Sequence, residues 1–262
     1  MGNFTPSADA WTTAEIKGSR RHVLKTAEFE RFNPEILGLG DLNTNSVPIE
    51  VVAAVFDLAG FTSFCRQIDP HLTVPAYIKS FVPWLIGQLK KEAVRDRTEA
   101  GVSLWHPLPF FTKFTGDGLL VLWNTEGMNR IYVRNLIISA YQICRNYPQE
   151  IYRTVRSIVT DPPDQLRCGV ARGTVFSVGS NADYVGSCIN VAARIQKLPQ
   201  LRFAFNRRGF DLEAEPVNQD IRDKFLIKKV SIRGIGEGEL IGVPRDDWNQ
   251  LSPADQKFYK DP

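Results

Sequence analysis

The sequence predicts an α+β fold of the ferredoxin-like kind, a mostly antiparallel sheet with helices packed on it. Three observations predict it. A continuous apolar run, Glu50-Val-Val-Ala-Ala-Val-Phe56, reads as a buried strand. Two stretches with helical spacing, at about 73–97 and from Asn129 to Val155, flank a hairpin at about 109–124. The remaining strands, closed by a late hairpin, suggest an α+β sandwich in which one face of the sheet carries the helices.

Residues 1–47 are polar, with only short apolar stretches. They read as an extension that drapes over the domain or pairs with a partner. The first strand ends at Asp57, followed by Leu-Ala-Gly-Phe-Thr. The first helix places Val74, Ile78, Phe81, Leu85 and Leu89 on one side, and Pro83 is expected to kink or break it. The hairpin carries Lys113 and Gly116-Asp117-Gly118 inside an apolar run, where strand cores disfavour Asp and Gly. The second helix presents Ile131, Leu136, Ile137, Tyr141 and Ile151, and Pro148 is a point where it can stop. Asp161-Pro-Pro-Asp is a turn. Gln165–Arg172 and Thr174–Val178 read as two strands joined at Gly173, Gly186–Leu198 as a helix, and Leu201–Phe205 as a strand. Phe225–Ser231 and Glu239–Gly242 form the late hairpin, around Gly234-Ile-Gly236-Glu-Gly238. Ser252-Pro-Ala-Asp255 is a capping box opening a short final helix. The expected domains are an extension over 1–47, a catalytic domain over 48–245 and a tail over 246–262.

Composition narrows the classes. With 262 residues and 43% of them hydrophobic, the chain can bury one ordinary core. A net charge of +3 is too mild to argue for nucleic acid or an anionic membrane. No apolar run reaches the ~18 residues of a membrane span. The N-terminus lacks the basic-then-apolar pattern of a secretion signal. It carries Gly2, but Pro6 stands where a myristoylation motif wants Ser or Thr. The four cysteines are widely spaced without a zinc pattern, and read as reduced thiols of a cytoplasmic protein.

Two constellations carry chemistry. Asp57 ends a buried strand and Asp117 sits at a hairpin tip. In a ferredoxin-like core those strands are neighbours, so the carboxylates make a hard oxygen site for Mg²⁺ or Mn²⁺. The alternative is that Asp57 caps the next helix and Gly-Asp-Gly is only a turn. After Asp57, the small-residue turn through Phe61 and Thr62 can offer backbone amides to phosphate oxygens. Asn190 and Arg194 are four apart, so on a helix they share a face, one a neutral donor and one a fixed charged fork. The alternative is a surface Arg with a polar neighbour.

Taken in this order, the residues resemble the class III nucleotide cyclases. Val55-Phe-Asp57-Leu-Ala-Gly60-Phe-Thr looks like the first family signature, and Lys113-Phe-Thr-Gly116-Asp117 the second. Cys168-Gly-Val-Ala-Arg-Gly173 followed by Asp183-Tyr-Val-Gly186-Ser-Cys-Ile-Asn190-Val-Ala-Ala-Arg194 looks like the third. Ile232-Arg233-Gly234-Ile-Gly236 looks like the late Lys-Gly loop, with Arg233 in place of Lys. The resemblance spans roughly residues 50–243. It implies that Asp57 and Asp117 bind two divalent ions and that Asn190 orients the ribose. Arg194 would stabilise charge on the phosphates, Arg233 would grip the triphosphate, and Lys113 and Asp183 would meet the base. It also implies a homodimer with shared sites, in which the ribose 3′-hydroxyl attacks the α-phosphorus and pyrophosphate leaves.

The Lys113/Asp183 pair offers a donor and an acceptor, which all four bases can satisfy, so size must choose. Phe110, Phe111, Phe114 and Tyr184 would crowd the base unless they face the core. The whole also resembles the standalone bacterial pyrimidine cyclases of Pycsar-type anti-phage defence. That implies UTP cyclised to cUMP as a messenger for a separate effector. The alternatives are cCMP production, an adenylate cyclase making cAMP, and a non-catalytic nucleotide-binding module.

Overall fold

The computed structural model describes residues 4–210 and 217–262. They fall into two compact units, Met1–Pro48 with Phe176–Val185, and Ile49–Val175 with Gly186–Pro262.

The smaller unit opens with a hairpin of β1 (Trp11–Ile16) and β2 (Ser19–Leu24), paired from Trp11↔Leu24 to Ile16↔Ser19. A short helix α1 (Thr26–Glu30) follows. The chain from Gly38 to Val47 then lies along 176–185. The Asn181 side chain donates to the Gly38 carbonyl at 2.7 Å, and Asp41 N donates to Ser180 Oγ at 2.9 Å. Ser177 and Val47 exchange bonds of 3.1 and 2.9 Å. Gly179 sits so close to Leu39 that a Cβ would lie 2.1 Å from its carbonyl oxygen.

The larger unit is built on β3 (Pro48–Leu58), the expected buried strand. Next come α2 (Phe61–Phe64), α3 (Pro70–Ala93) and a side hairpin of β4 (Val94–Thr98) and β5 (Gly101–Leu104). The expected central hairpin is β6 (Phe111–Phe114) and β7 (Gly118–Asn124). Helix α4 (Arg130–Tyr147) and the short α5 (Arg153–Val155) lead to β8 (Leu166–Val178), which pairs at its far end with β9 (Asp183–Val185). The chain closes with α6 (Ser187–Ile195), β10 (Phe203–Asn206), α7 (Val217–Lys224), β11 (Phe225–Ile232), β12 (Gly236–Pro244), α8 (Arg245–Gln250) and α9 (Pro253–Gln256). Ser252 caps α9 through the amide of Asp255, as the capping box requires.

The strand order is β11-β12-β10-β8-β3-β7-β6. The β3–β7, β6–β7, β10–β12 and β11–β12 pairs are antiparallel, and β10–β8 is parallel. Alternation gives the sheet two faces. Val52, Ala54, Phe56 and Leu58 share one core with Leu119, Val121 and Trp123, and with Tyr77, Phe81 and Leu85 of α3 and Leu136, Ile137 and Tyr147 of α4. A second cluster joins Ile195, Ala204, Val230, Ile241, Val243 and Tyr259.

Two expectations are corrected. Helix α3 does not break at Pro83 but runs through both Pro75 and Pro83. Both prolines face solvent, as do His71 and Lys79, whose carbonyls they leave without a helical partner. Water can satisfy those carbonyls, while the Tyr77–Phe81–Leu85 side packs undisturbed. The second helix does stop at Pro148, ending as α4 at Tyr147, and Pro148 opens a wider turn through Tyr152. Finally, 166–178 is one strand, not two. Gly173 does not turn the chain but makes room, since a Cβ there would sit 3.3 Å from Cys188 Cβ.

Gly118 answers the oddity of Gly-Asp-Gly. A Cβ on Gly118 would lie 1.8 Å from the Phe56 carbonyl oxygen. Gly116 has φ +104°, a conformation open to glycine. Gly118→Ala should therefore cost at least about 1–3 kcal/mol. Gly87→Ala, on the exposed side of α3 with open space around it, should instead stabilise by about 0.5–1 kcal/mol. Urea unfolding midpoints check both, and equal midpoints for the two variants would refute the backbone-contact argument.

Candidate active site

The acidic pair forms where β3 and β7 end. Asp57 pairs in register with Gly118, and Leu58 N donates to the Asp117 carbonyl at 3.2 Å. This brings the two side chains into hydrogen-bond contact. Burial raises the Asp57 pKa to about 6, helped by the charge of Asp117 and by that hydrogen bond, while Lys197 and Arg167 pull it down. Asp57 does not cap the next helix, because Gly60 is the N-cap of α2. Two half-buried carboxylates in contact need a proton or a cation between them. Their hard oxygens fit a divalent ion. No group of three or more His, Cys, Asp or Glu gathers to hold a metal among the described residues, so further ligands would come from backbone, water or a substrate.

The turn after Asp57 places Phe61 and Thr62 in the first turn of α2. The Phe61 ring packs on the core, 5.9 Å from Phe64 and 6.4 Å from Tyr77. Only its backbone amide, with that of Thr62, is placed to meet an anion. A four-residue helix adds little dipole to those donors.

The second group is carried by α6. Cys188, Ala192 and Ile195 point inward. The helix sits directly on β8, for a Cβ on Gly169 would meet the Ala192 carbonyl oxygen at 2.1 Å. That leaves Asn190 and Arg194 exposed on the outer side. Arg194 lies against the β11–β12 turn, with Nη2 3.4 Å from where a Gly234 Cβ would be, beside exposed Arg233. Asn190 lines a cavity of about 340 Å³ with Arg172, Asn206, Arg208, Gly234 and Glu239. The sequence reading missed Arg167, Lys197, Arg172 and Arg208. Arg167 precedes the Cys168–Gly173 motif, Arg172 lies within it and Lys197 follows Arg194 by three, so proximity to motifs was the available signal.

Lys113 lies in the larger unit and Asp183 in the smaller, and each is described by itself. Lys113 is in register with Leu120, and Leu120 with Val55, so it shares the sheet face of Asp57. Phe111 lies two residues away on that face. Phe114 lies on the opposite face, 43% exposed, and Phe110 is 42% exposed. The expected crowding by Phe114 is thereby corrected, because strand alternation turns it away from Lys113. Asp183 opens β9, where its Oδ1 accepts from Tyr184 N at 2.9 Å. Three of the four cysteines are buried and all are free thiols.

No protein-family model matches the sequence, and the search of curated proteins gives no match either. Solved structures do match. The guanylyl cyclase Cya2 superposes with a TM-score of 0.54 at 17% identity, covering 76% of this chain and 92% of that one. The fold is that of the class III nucleotide cyclases. The adenylyl cyclase CyaB from P. aeruginosa gives a TM-score of 0.56 at 12% identity, over 79% of this chain and all of that one (100%). The catalytic core of a rhodopsin-guanylyl cyclase with converted specificity, in complex with ATPαS, gives 0.50 at 16% identity, over 76% and 98%. At these identities the likeness concerns the fold, which is the α+β architecture expected from the sequence.

The acidic pair makes a pH prediction. With its pKa raised from 3.8 to about 6, Asp57 holds a proton in the folded state that the unfolded chain releases in that window. Its ionisation therefore costs folded stability, fully above pH 6 and not at all below 3.8. Asp117→Asn removes the like charge. In EDTA-treated protein it should raise the melting temperature by a few degrees at about pH 7.5 and clearly less at about pH 4.5. Equal shifts at both values would count against a charged pair.

Proposed function

We propose that this chain is a nucleotide cyclase, converting a nucleoside triphosphate to a 3′,5′-cyclic mononucleotide and pyrophosphate, with UTP preferred and cUMP the product. The observation that carries the reading is the Asp57–Asp117 pair, held in contact at the strand ends of a class III cyclase fold. The catalytic domain is 48–245, with 1–47 as an extension and 246–262 as a tail.

Two divalent ions, Mg²⁺ or Mn²⁺, bound by Asp57 and Asp117 would supply Lewis-acid activation of the ribose 3′-hydroxyl and neutralise phosphate charge. Asn190 hydrogen-bonds and orients the ribose. Arg194 and Arg233 donate to phosphate oxygens as charge builds on the leaving pyrophosphate. The amides of Phe61 and Thr62 add neutral donors. Lys113 and Asp183 meet the base edge as donor and acceptor.

The active site is shared between subunits of a homodimer. Supporting this, the cations acting on Asp57 in its own chain are Lys197 and Arg167, while Arg194 rests on the Gly234 turn. Guanylyl and adenylyl cyclases both have this fold, so the fold leaves the base open. Phe111 lies on the face of Lys113, and a bulky ring beside a residue that meets the base would favour a single-ring base. The product would serve a separate cyclic-nucleotide-activated effector, as in the anti-phage pyrimidine cyclases that the sequence resembles. No helix among the described residues is long and apolar enough to cross a membrane.

Purified protein incubated with ATP, GTP, CTP and UTP plus Mn²⁺ should yield mainly cUMP by chromatography and mass. Mainly cAMP or cGMP would sink the single-ring argument, and no cyclic product at all would sink the cyclase. Asp57→Ala and Arg194→Ala should each be inactive alone. Mixed in equal amounts they should recover about a quarter of wild-type activity, since half the dimers then own one intact site. Absence of any recovery contradicts shared sites.

A further inference from the structure

The cavity beside Asn190 contains two arginines to which the proposed reaction gives no role, and they differ in a telling way. Arg208 is matched, with Nη2 3.4 Å from Glu239 Oε1, and the other Glu239 oxygen accepts from Asn206 Nδ2 at 3.2 Å. Arg172 is anchored but not matched. Its Nη1 donates to the Gly209 carbonyl at 3.0 Å, which tethers one end of the guanidinium. Its Nε–H is closed off from solvent and donates to nothing among the described residues. Nε and Nη2 form the edge that grips two oxygens of a carboxylate or phosphate. Arg202 uses that edge on Asp247, with Nε at 2.9 Å. Arg172 has no such carboxylate among the described residues.

A buried N–H without an acceptor costs about 1–3 kcal/mol, and a shift of the side chain that turns this edge toward an anion in the cavity would remove that cost. The charged side chains lining the cavity are Arg172, Arg208 and Glu239, two positive and one negative, which leaves one net positive charge. About 340 Å³ is room enough for a chain of phosphates. Asn190 lines the same space, so whatever Asn190 holds is within reach of the Arg172 fork.

We propose that Arg172 is a substrate-binding residue that takes phosphate oxygens of the nucleoside triphosphate through its Nε/Nη2 edge. The proposal rests on the cyclase reading for the identity of the substrate, but its test does not need turnover. Inorganic triphosphate, titrated into the full-length protein by calorimetry at low ionic strength, isolates the phosphate contribution from base and metal. Arg172→Gln should weaken its binding by about fivefold or more. Arg172→Lys, which keeps the charge and loses the planar fork, should fall between the two. In the turnover assay the same variants should raise KM and leave kcat within about threefold.

If Arg172→Gln disturbs the fold by releasing Gly209, wild-type protein carries the test. Inorganic triphosphate should then protect Arg172 from phenylglyoxal, read by peptide mass. Equal affinity in wild type and a folded Arg172→Gln, or labelling unchanged by triphosphate, overturns the inference and leaves the cyclase reading standing. Weakened triphosphate binding in a protein that cyclises none of the four nucleotides supports the anion site and removes the cyclase reading alone.

Discussion

The site depends on one backbone approach, that of Gly118 to the Phe56 carbonyl. Without side-chain bulk at Gly118, β7 settles against the end of β3 and the amide of Leu58 reaches the Asp117 carbonyl at 3.2 Å. The end of β3 is held from elsewhere as well, since Ala59 N donates to the Gln165 carbonyl at 3.0 Å. Two carboxylates are thereby pressed together against their mutual repulsion. The sheet supplies the restraining force through the apolar core behind it, where Phe56, Leu58 and Leu119 pack on the helices. Such a pair is relieved by a proton or by a cation.

A similar contact governs the other candidate group. Gly169 lets α6 descend until its backbone touches β8, and Gly173 gives Cys188 its place. With the inward side of α6 fixed by Cys188, Ala192 and Ile195, helical geometry alone turns Asn190 and Arg194 outward. The polar residues are placed by where the apolar ones must go. In both groups, glycines that look like turn residues serve closeness instead.

Much of this was legible in the sequence. The buried strand before Asp57, the hairpin, the outward pair on α6 and the late hairpin could all be read from apolar runs, helical spacing and glycines. What could not be read depended on which face met solvent. Pro83 reads as a break, yet it falls on the wet side of α3, where a lost hydrogen bond is replaced by water. Gly173 reads as a turn because nothing local tells that a helix will lie over it. Phe114 reads as a neighbour of Lys113 because sequence adjacency hides the alternation of a strand. Arg172 escaped notice for the converse reason. Its interest lies in an acceptor that is missing, which no linear pattern displays.

The lock between Leu39 and Gly179 has a wider consequence. Asp183 rides on a segment whose other half is supplied by the first 48 residues of the chain, through the bonds of Gly38, Asp41 and Val47 to 177–181. The acidic pair and the arginines belong to a different compact unit. Asp183 and the acidic pair thus belong to different compact units, while Lys113 shares the unit of the acidic pair. A lineage could vary the segment that carries Asp183 and leave unchanged the strand ends that carry the two carboxylates.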